Sequence, residues 1–129
     1  MDEAYTKYKA LAAAHTNAVG AEAKFHMGYV RYLQKRYADA EKEIFGLMQQ
    51  YPGYEPWKSK GFIVLGDAYL QMDDRFQART TWQVVVDNSD DAASVATARE
   101  RLAALDASQA APGNTPAPEE ITIPMPGKQ

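Results

Sequence analysis

The chain has 129 residues, 46% of them hydrophobic, and its 14 basic and 17 acidic residues give a net charge of −3. This length and composition predict one globular domain. Because the basic residues are spread along the chain, we expect no nucleic acid as a partner. The absence of cysteine excludes disulfides, thiol catalysis and thiolate metal sites, but it leaves the cellular compartment open.

The sequence also lacks the patterns of membrane and export segments. No apolar run approaches the roughly 20 residues that span a bilayer, so we expect no membrane insertion by this chain. The first residues, MDEAYTKYK, have neither the charged start nor the apolar middle of a signal peptide. A helical pattern begins almost at once, which favours the hypothesis that the chain is a piece of a longer protein.

Apolar residues at helical spacing predict three helices in the first half of the chain. The first runs from Glu3 to Ala14 and ends before HTNAVG, which carries loop and capping residues. The second carries Ala23 and Val30 on one face and ends near the sequence QKR. The third begins close to Ala38 and ends at YPGYEP, where two prolines and a glycine break the helix.

Three further helices are predicted in the second half. The fourth runs from Trp57 to Met72, and Asp74 is the predicted N-cap of the fifth. Three consecutive valines in the fifth helix favour a strand by propensity alone, but the length and period of the segment predict a helix. The sixth follows the turn and capping cluster DNSDD and covers 92–106.

The end of the chain has a different composition. From Ala107 onward alanine, proline, glycine and serine dominate, with five prolines between Pro112 and Pro126. This composition predicts a disordered tail over 107–129. A short apolar segment around Ile123 leaves two possibilities open: the tail lies in a groove of its own chain or of a neighbour, or it is a solvated terminus.

Gly66 lies inside the fourth helix, although glycine costs a helix about 1 kcal/mol relative to alanine. A shift of 38 residues aligns Gly28 with Gly66 and Ala40 with Ala78, across helix, turn and helix. This constant offset predicts an internal repeat, in which each unit is a pair of antiparallel helices. Small residues at these positions let two backbones approach closely, and tight packing offsets the lost helix propensity.

The unit resembles the tetratricopeptide repeat, a helix-turn-helix of about 34 residues. The signature residues that carry the resemblance are Gly28, Ala40, Pro52, Gly66, Tyr69 and Ala78. The resemblance implies an all-α solenoid of about six helices. Its helical domain, 1–106, would contain a flanking helix (3–17), repeat 1 (21–54), repeat 2 (57–90) and a capping helix (92–106). The sequence VGAEAKF is similar to such regions of bacterial cell-envelope proteins, which slightly favours the envelope or periplasm over the cytoplasm.

Enzyme motifs are missing. His15 and His26 lack the spacing of a zinc pair, and the four serines lie at helix ends or in the tail without a nucleophile motif. The cluster DNSDD could offer oxygen ligands to calcium, but it lacks the glycine and glutamate of an EF-hand. Helix capping by Asp90 or Asp91 is therefore favoured. We expect no catalysis, no metal and no cofactor.

The tetratricopeptide resemblance implies a concave face lined by the first helix of each unit. The candidate partner-binding residues on it are Phe25, Tyr29, Tyr32, Lys60, Ile63 and Asp67. Phe25 and Ile63 fit the core between helices equally well, whereas the other four are expected to face solvent. The predicted function is a non-catalytic scaffold that binds a protein or peptide partner on this face. A dimerisation module, hence a possible homodimer, and an accessory domain of a longer protein are the alternatives.

Overall fold

The computed structural model describes residues 1–110, with side chains through Ser108. The regular structure in this part of the chain consists of six helices, without a strand. They are α1 (Asp2–Ala14), α2 (Ala18–Leu33), α3 (Tyr37–Gln50), α4 (Trp57–Gln71), α5 (Arg75–Asn88) and α6 (Ala92–Ala110). The expected all-α fold class with about six helices is therefore confirmed. The valine run lies inside α5, as the period of the segment predicted.

Two helices extend beyond their predicted limits. The helix α2 begins at Ala18, inside the stretch HTNAVG that was expected to be a loop. Its start is fixed by Asn17, whose side chain accepts a hydrogen bond of 3.0 Å from the backbone N–H of Val19. The helix α6 continues past the predicted end at residue 106 to Ala110. The rest of the predicted tail, 111–129, lies outside the described residues.

The acidic residues predicted as caps do cap helices. The side chain of Asp74 accepts a hydrogen bond from the backbone N–H of Gln77 at the start of α5. Asp91 accepts from the backbone N–H of Ser94, at 3.2 Å, at the start of α6. The first two residues of the cluster DNSDD belong to α5, and the other three connect α5 to α6. Asp91 has the capping role favoured over calcium binding.

Each helix packs against the next one in the chain, from α1 on α2 to α5 on α6. In addition, α2 contacts α4, and α4 contacts α6. Within residues 1–110, no close backbone approach joins α1 to α3 or α3 to α5. The even-numbered helices thus form one continuous layer, and the odd-numbered helices lie against it.

The core is formed where the two layers meet. Its largest fully buried side chains are Trp82, Ile44, Leu47 and Val85. One cluster of buried residues joins α3, α4, α5 and α6: Ile44, Ile63, Leu65, Tyr69, Ala78, Trp82, Val85, Ala98 and Leu105. A second cluster joins α2, α3 and α4: Ala21, Phe25, Leu47, Tyr51 and Val64.

The two helix pairs make the same contact at their glycines. A Cβ atom built on Gly28 would lie 2.5 Å from Cδ1 of Ile44, and one built on Gly66 would lie 2.6 Å from Cδ1 of Trp82. Ile44 and Trp82 are themselves 38 residues apart. Both side chains are fully buried and cannot retreat into solvent. At both positions glycine makes room for a large buried side chain of the next helix.

The turns inside the two helix pairs also match. Lys35 and Asp73, which are 38 residues apart, both have a φ angle of 62°. In each turn the next backbone N–H donates, over 2.9 Å, to a carbonyl five residues earlier. This is the Schellman ending of a helix, which usually uses glycine at the left-handed position. Neither residue is glycine, so the sequence pattern, which predicted a short turn at Asp73 and Asp74, did not indicate its Schellman geometry.

Most of the signature residues are buried. Gly28, Gly66, Ala40 and Ala78 lie between helices, whereas Pro52 is exposed directly after α3. The remaining signature residue, Tyr69, has a buried ring, and its hydroxyl donates to the Glu41 carboxylate at 2.7 Å. Burial raises the pKa of Tyr69, and the Glu41 carboxylate raises it further. The phenol is therefore a neutral donor that ties α4 to α3.

Candidate protein-binding groove

A groove with a volume of about 210 Å³ lies between the helices of the even-numbered layer. We call it the α2–α4–α6 groove. Five of the six candidate partner-binding residues line it: Phe25, Tyr29, Lys60, Ile63 and Asp67. The helix α6 supplies the opposite wall, with Ala93, Ser94, Thr97 and Arg101. The sixth candidate, Tyr32, lies beside the groove, where its ring stacks on that of Tyr29.

Burial separates the floor of the groove from its accessible surface. Phe25 and Ile63 are each only 7% exposed and belong to the two core clusters. Tyr29 is 39% exposed, although it is a large aromatic residue. Lys60 is also exposed. A partner in this groove would therefore contact mainly Tyr29 and Lys60, with Phe25 and Ile63 beneath them.

Four aromatic rings follow one another along one edge of the groove, and we call them the aromatic row. Their order is Tyr32, Tyr29, Phe25 and Trp57, with centroid separations of 6.5, 6.0 and 5.7 Å. The first three rings are nearly parallel, with interplanar angles of 10° and 9°. At the far end, Nζ of Lys60 lies 4.9 Å from the centroid of the Trp57 ring, within cation–π range.

Asp67 does not face solvent as expected. Its carboxylate accepts two hydrogen bonds from Arg101, at 2.9 Å from Nε and 3.2 Å from Nη2, and its side chain is only 15% exposed. Burial raises the pKa of Asp67, while the Arg101 guanidinium opposes the rise. Repeat alignment could not identify Arg101, because α6 lies outside the two aligned units. The pair joins α4 to α6 and neutralises most of the charge in this part of the groove.

His26 lies behind the aromatic row and contacts α1. Its ring stacks on Tyr8, with centroids 4.7 Å apart, and meets the edge of Phe25 at 5.2 Å. Burial lowers the pKa of His26, although the carboxylate of Glu22 acts in the opposite direction. A largely neutral imidazole between two aromatic rings fits a packing role.

A polar cluster outside the groove surrounds the start of α4. The Glu55 carboxylate accepts hydrogen bonds from the backbone N–H of Ser59 at 3.0 Å and from its hydroxyl at 2.7 Å. The hydroxyls of Ser59 and Ser89 are 2.7 Å apart. These contacts tie the start of α4 to the end of α5.

The described part of the chain contains no group of three or more side chains suited to hold a metal ion. No helix in residues 1–110 combines the length and the apolar character of a membrane span.

Comparison of the chain with protein-family models, with curated proteins and with solved structures gives no match in any of the three. The resemblance to tetratricopeptide repeats therefore rests on the residues and on the internal repeat alone.

Proposed function

We propose that the chain is a non-catalytic protein-interaction module of the tetratricopeptide type, which binds a peptide or protein partner in the α2–α4–α6 groove. The observation that carries the proposal is the exposure of Tyr29 in this groove, next to the exposed Lys60. Aromatic residues with one polar end are enriched where proteins bind each other, because they combine a large contact area with a hydrogen-bonding group.

The equivalence of the two helix pairs supports the solenoid part of the proposal. The first helices of both pairs, α2 and α4, contact each other, and α6 continues their layer. Repeats of this kind cannot bury their apolar faces alone and usually need about three units. In this arrangement α1 covers the first pair and α6 covers the second. The resemblance extends the proposal to a bacterial cell-envelope protein.

Affinity capture from a source-cell lysate tests the proposal. The full chain is compared with its Tyr29→Ala and Lys60→Ala variants, since both side chains are exposed and their loss leaves the core intact. Phe45→Ala is the matched control, because Phe45 is a similarly exposed aromatic residue on α3, outside the groove. We expect both groove variants to lose a partner that wild type and control retain. A partner lost only from the control would place the binding surface elsewhere.

Self-association is a second candidate, favoured by Phe76. This side chain is 78% exposed on α5, away from the groove, and exposed aromatic surface often marks an interface. Light scattering over a dilution series distinguishes the two functions. A dimer that resists dilution and becomes a monomer in Phe76→Ser would favour the dimerisation module. A monomer at all concentrations would leave the groove as the functional surface.

A further inference from the structure

A second cleft lies between α1, α2 and α3, and we call it the α1–α2–α3 cleft. Its volume is about 410 Å³, and it shares no lining residue with the α2–α4–α6 groove. Every side chain that lines it has a polar group. The charged ones are the cations Lys24, Arg31, Arg36 and Lys42 and the carboxylates Asp39 and Glu43. The cleft therefore carries an excess of two positive charges, in a chain whose net charge is −3.

Both carboxylates of the cleft are already paired with cations. The Glu43 carboxylate lies 3.0 Å from Nζ of Lys24, and the two side chains are only 16% and 19% exposed. Asp39 accepts a hydrogen bond of 2.8 Å from Nε of Arg36. These two pairs are neutral, so the excess positive charge belongs to the two remaining cations.

Arg31, the first of these cations, is held in place but has little counter-charge. Its guanidinium lies 3.6 Å from the centroid of the Tyr5 ring and donates to the side-chain oxygen of Gln34 at 2.9 Å. The Tyr5 hydroxyl donates to Glu43, which fixes the supporting ring between α1 and α3. Within residues 1–110, the one ion pair of Arg31 is with Asp2, at 3.9 Å, and the Asp2 side chain is 90% exposed. A guanidinium fixed in this way is preorganised to bind an anion through two parallel hydrogen bonds.

Lys42, the second cation, lies on α3 and is exposed. Its ammonium forms no ion pair or hydrogen bond within the described part of the chain. The cleft also includes the first turn of α3, where Arg36 is the N-cap residue and makes no side-chain cap. The dipole of the helix adds positive potential at this end. An anion in the cleft would thus meet a fixed cation, a flexible cation and the positive end of a helix.

Charge and size select the class of anion. A phosphate group on a small molecule carries about −1.5 to −2 charges at pH 7 and has three acceptor oxygens, which matches an excess of two positive charges. A water molecule occupies about 30 Å³ in the liquid, so a cleft of about 410 Å³ holds more than the five non-hydrogen atoms of phosphate. The space and the polar walls suit a small polar group attached to the phosphate.

We propose that the α1–α2–α3 cleft binds a small phosphate dianion, as the free ion or as a monoester, between Arg31 and Lys42. The guanidinium donates to two phosphate oxygens, and the ammonium contacts the third as a point charge. This inference does not rest on the proposed function, because the cleft and the α2–α4–α6 groove share no lining residue.

Titration of the full wild-type chain with glycerol 3-phosphate tests the inference. Backbone amide resonances are followed by NMR at about pH 7.5, where a phosphate monoester is mostly a dianion. The ionic strength is held constant, because added salt screens exposed charges. We expect saturable shifts around Arg31 and Lys42. Glycerol, which lacks the phosphate, should cause no saturable shift.

Lys42→Gln removes one cation and leaves the core intact, because the side chain is exposed. Lys9→Gln is the matched control, since Lys9 is an exposed lysine of α1 outside the cleft. We expect the Kd for glycerol 3-phosphate to rise at least about tenfold in Lys42→Gln and to stay unchanged in Lys9→Gln. Arg31→Lys keeps the charge but loses the two parallel hydrogen bonds, so it should also weaken binding, with folding checked by circular dichroism.

Inorganic phosphate distinguishes the two sources of the dianion. Tighter binding of glycerol 3-phosphate than of inorganic phosphate would identify a monoester as the ligand, which the volume of the cleft favours. Equal affinity would identify the phosphate group alone as the ligand. Either result supports a phosphate site, provided that Lys42→Gln weakens the binding.

Three results would overturn the inference. Shifts that grow linearly without saturation would show that the chain has no phosphate site. Equal Kd values in Lys42→Gln and Lys9→Gln would place the site outside the cleft. Acetate that binds as tightly as glycerol 3-phosphate would show that the cleft does not select a dianion. None of these results changes the capture of a partner by the α2–α4–α6 groove, so the inference and the proposed function fail separately.

Discussion

Replacement of Gly66 by alanine is the sharpest test of the close helix contact at the centre of the fold. The added methyl group would lie 2.6 Å from Cδ1 and 2.8 Å from Cε2 of Trp82. Both distances are well inside van der Waals contact. The indole is fully buried, and its N–H donates to the Ile63 carbonyl at 3.3 Å. The ring therefore cannot move away without a loss of packing and of this hydrogen bond.

The sign of the effect depends on two opposing contributions. Alanine in place of glycine inside a helix favours folding by about 1 kcal/mol. Overpacking of a rigid core costs about 1–3 kcal/mol, and a weakened indole hydrogen bond costs about 1 kcal/mol more. We expect a net decrease of about 2 kcal/mol in the free energy of unfolding, which lowers the urea midpoint by about 1–2 M.

Gly46→Ala is the matched control, in α3. There the added methyl group would meet Cε of Lys24, at 2.9 Å, near the end of a flexible side chain that can move aside. We expect this variant to be as stable as wild type or more stable by up to about 1 kcal/mol. Urea unfolding followed by circular dichroism measures both variants under the same conditions.

If Gly66→Ala unfolded at the same urea concentration as Gly46→Ala, the indole of Trp82 would not be what requires glycine at position 66. A double-mutant cycle with Trp82→Phe locates the cause, because the smaller ring leaves room for the methyl group. We expect the cost of Gly66→Ala to be smaller in the Trp82→Phe background than in wild type. An unchanged cost would assign the effect to the backbone and not to the indole.

Two further predictions concern the groove and the contact with α1. Arg101→Met leaves the mostly buried carboxylate of Asp67 without its partner, and we expect it to lower the free energy of unfolding by about 1–3 kcal/mol. Arg99→Met is the control, because Arg99 is exposed on α6, and it should change urea unfolding little. Equal effects would show that the ion pair contributes nothing. Because burial lowers the pKa of His26, the unfolded chain binds a proton more readily below about pH 6.5, so stability present above that pH declines as the pH falls. His26→Gln should reduce this decline, which is measured as the change in the urea midpoint between about pH 7.5 and pH 5. His15→Gln is the control. The same decline in both variants would show that protonation of His26 is not its cause.

Local sequence patterns were sufficient to predict the six helices because apolar residues recur at helical spacing, and acidic caps mark the starts of two of them. Asp74 and Asp91 accept backbone hydrogen bonds at the first turns of α5 and α6. The start of α2 was misplaced because Asn17, inside a stretch that looked like a loop, caps a helix that begins directly after it. The end of α6 was placed too early because the alanine-rich composition after Asp106 is compatible with both a helix and a tail.

The candidate groove was predicted only in part. The repeat alignment selected residues of α2 and α4, and five of the six candidates line one groove. It could not decide which of them are accessible, since Phe25 and Tyr29 lie one helical turn apart and differ in burial only through their neighbours. The partner of Asp67 was missed because Arg101 is 34 residues away, on a helix outside the aligned units.

The six helices and the 38-residue repeat follow from the amino-acid sequence alone, because apolar period, caps and small residues act over one or two turns of chain. Other features depend on contacts between distant parts of the folded chain. Lys35 and Asp73 adopt the left-handed conformation of a Schellman turn because the helices on both sides are fixed by packing. Likewise, α6 forms a wall of the groove, where Arg101 pairs with Asp67, a contact between side chains that only the folded chain brings together.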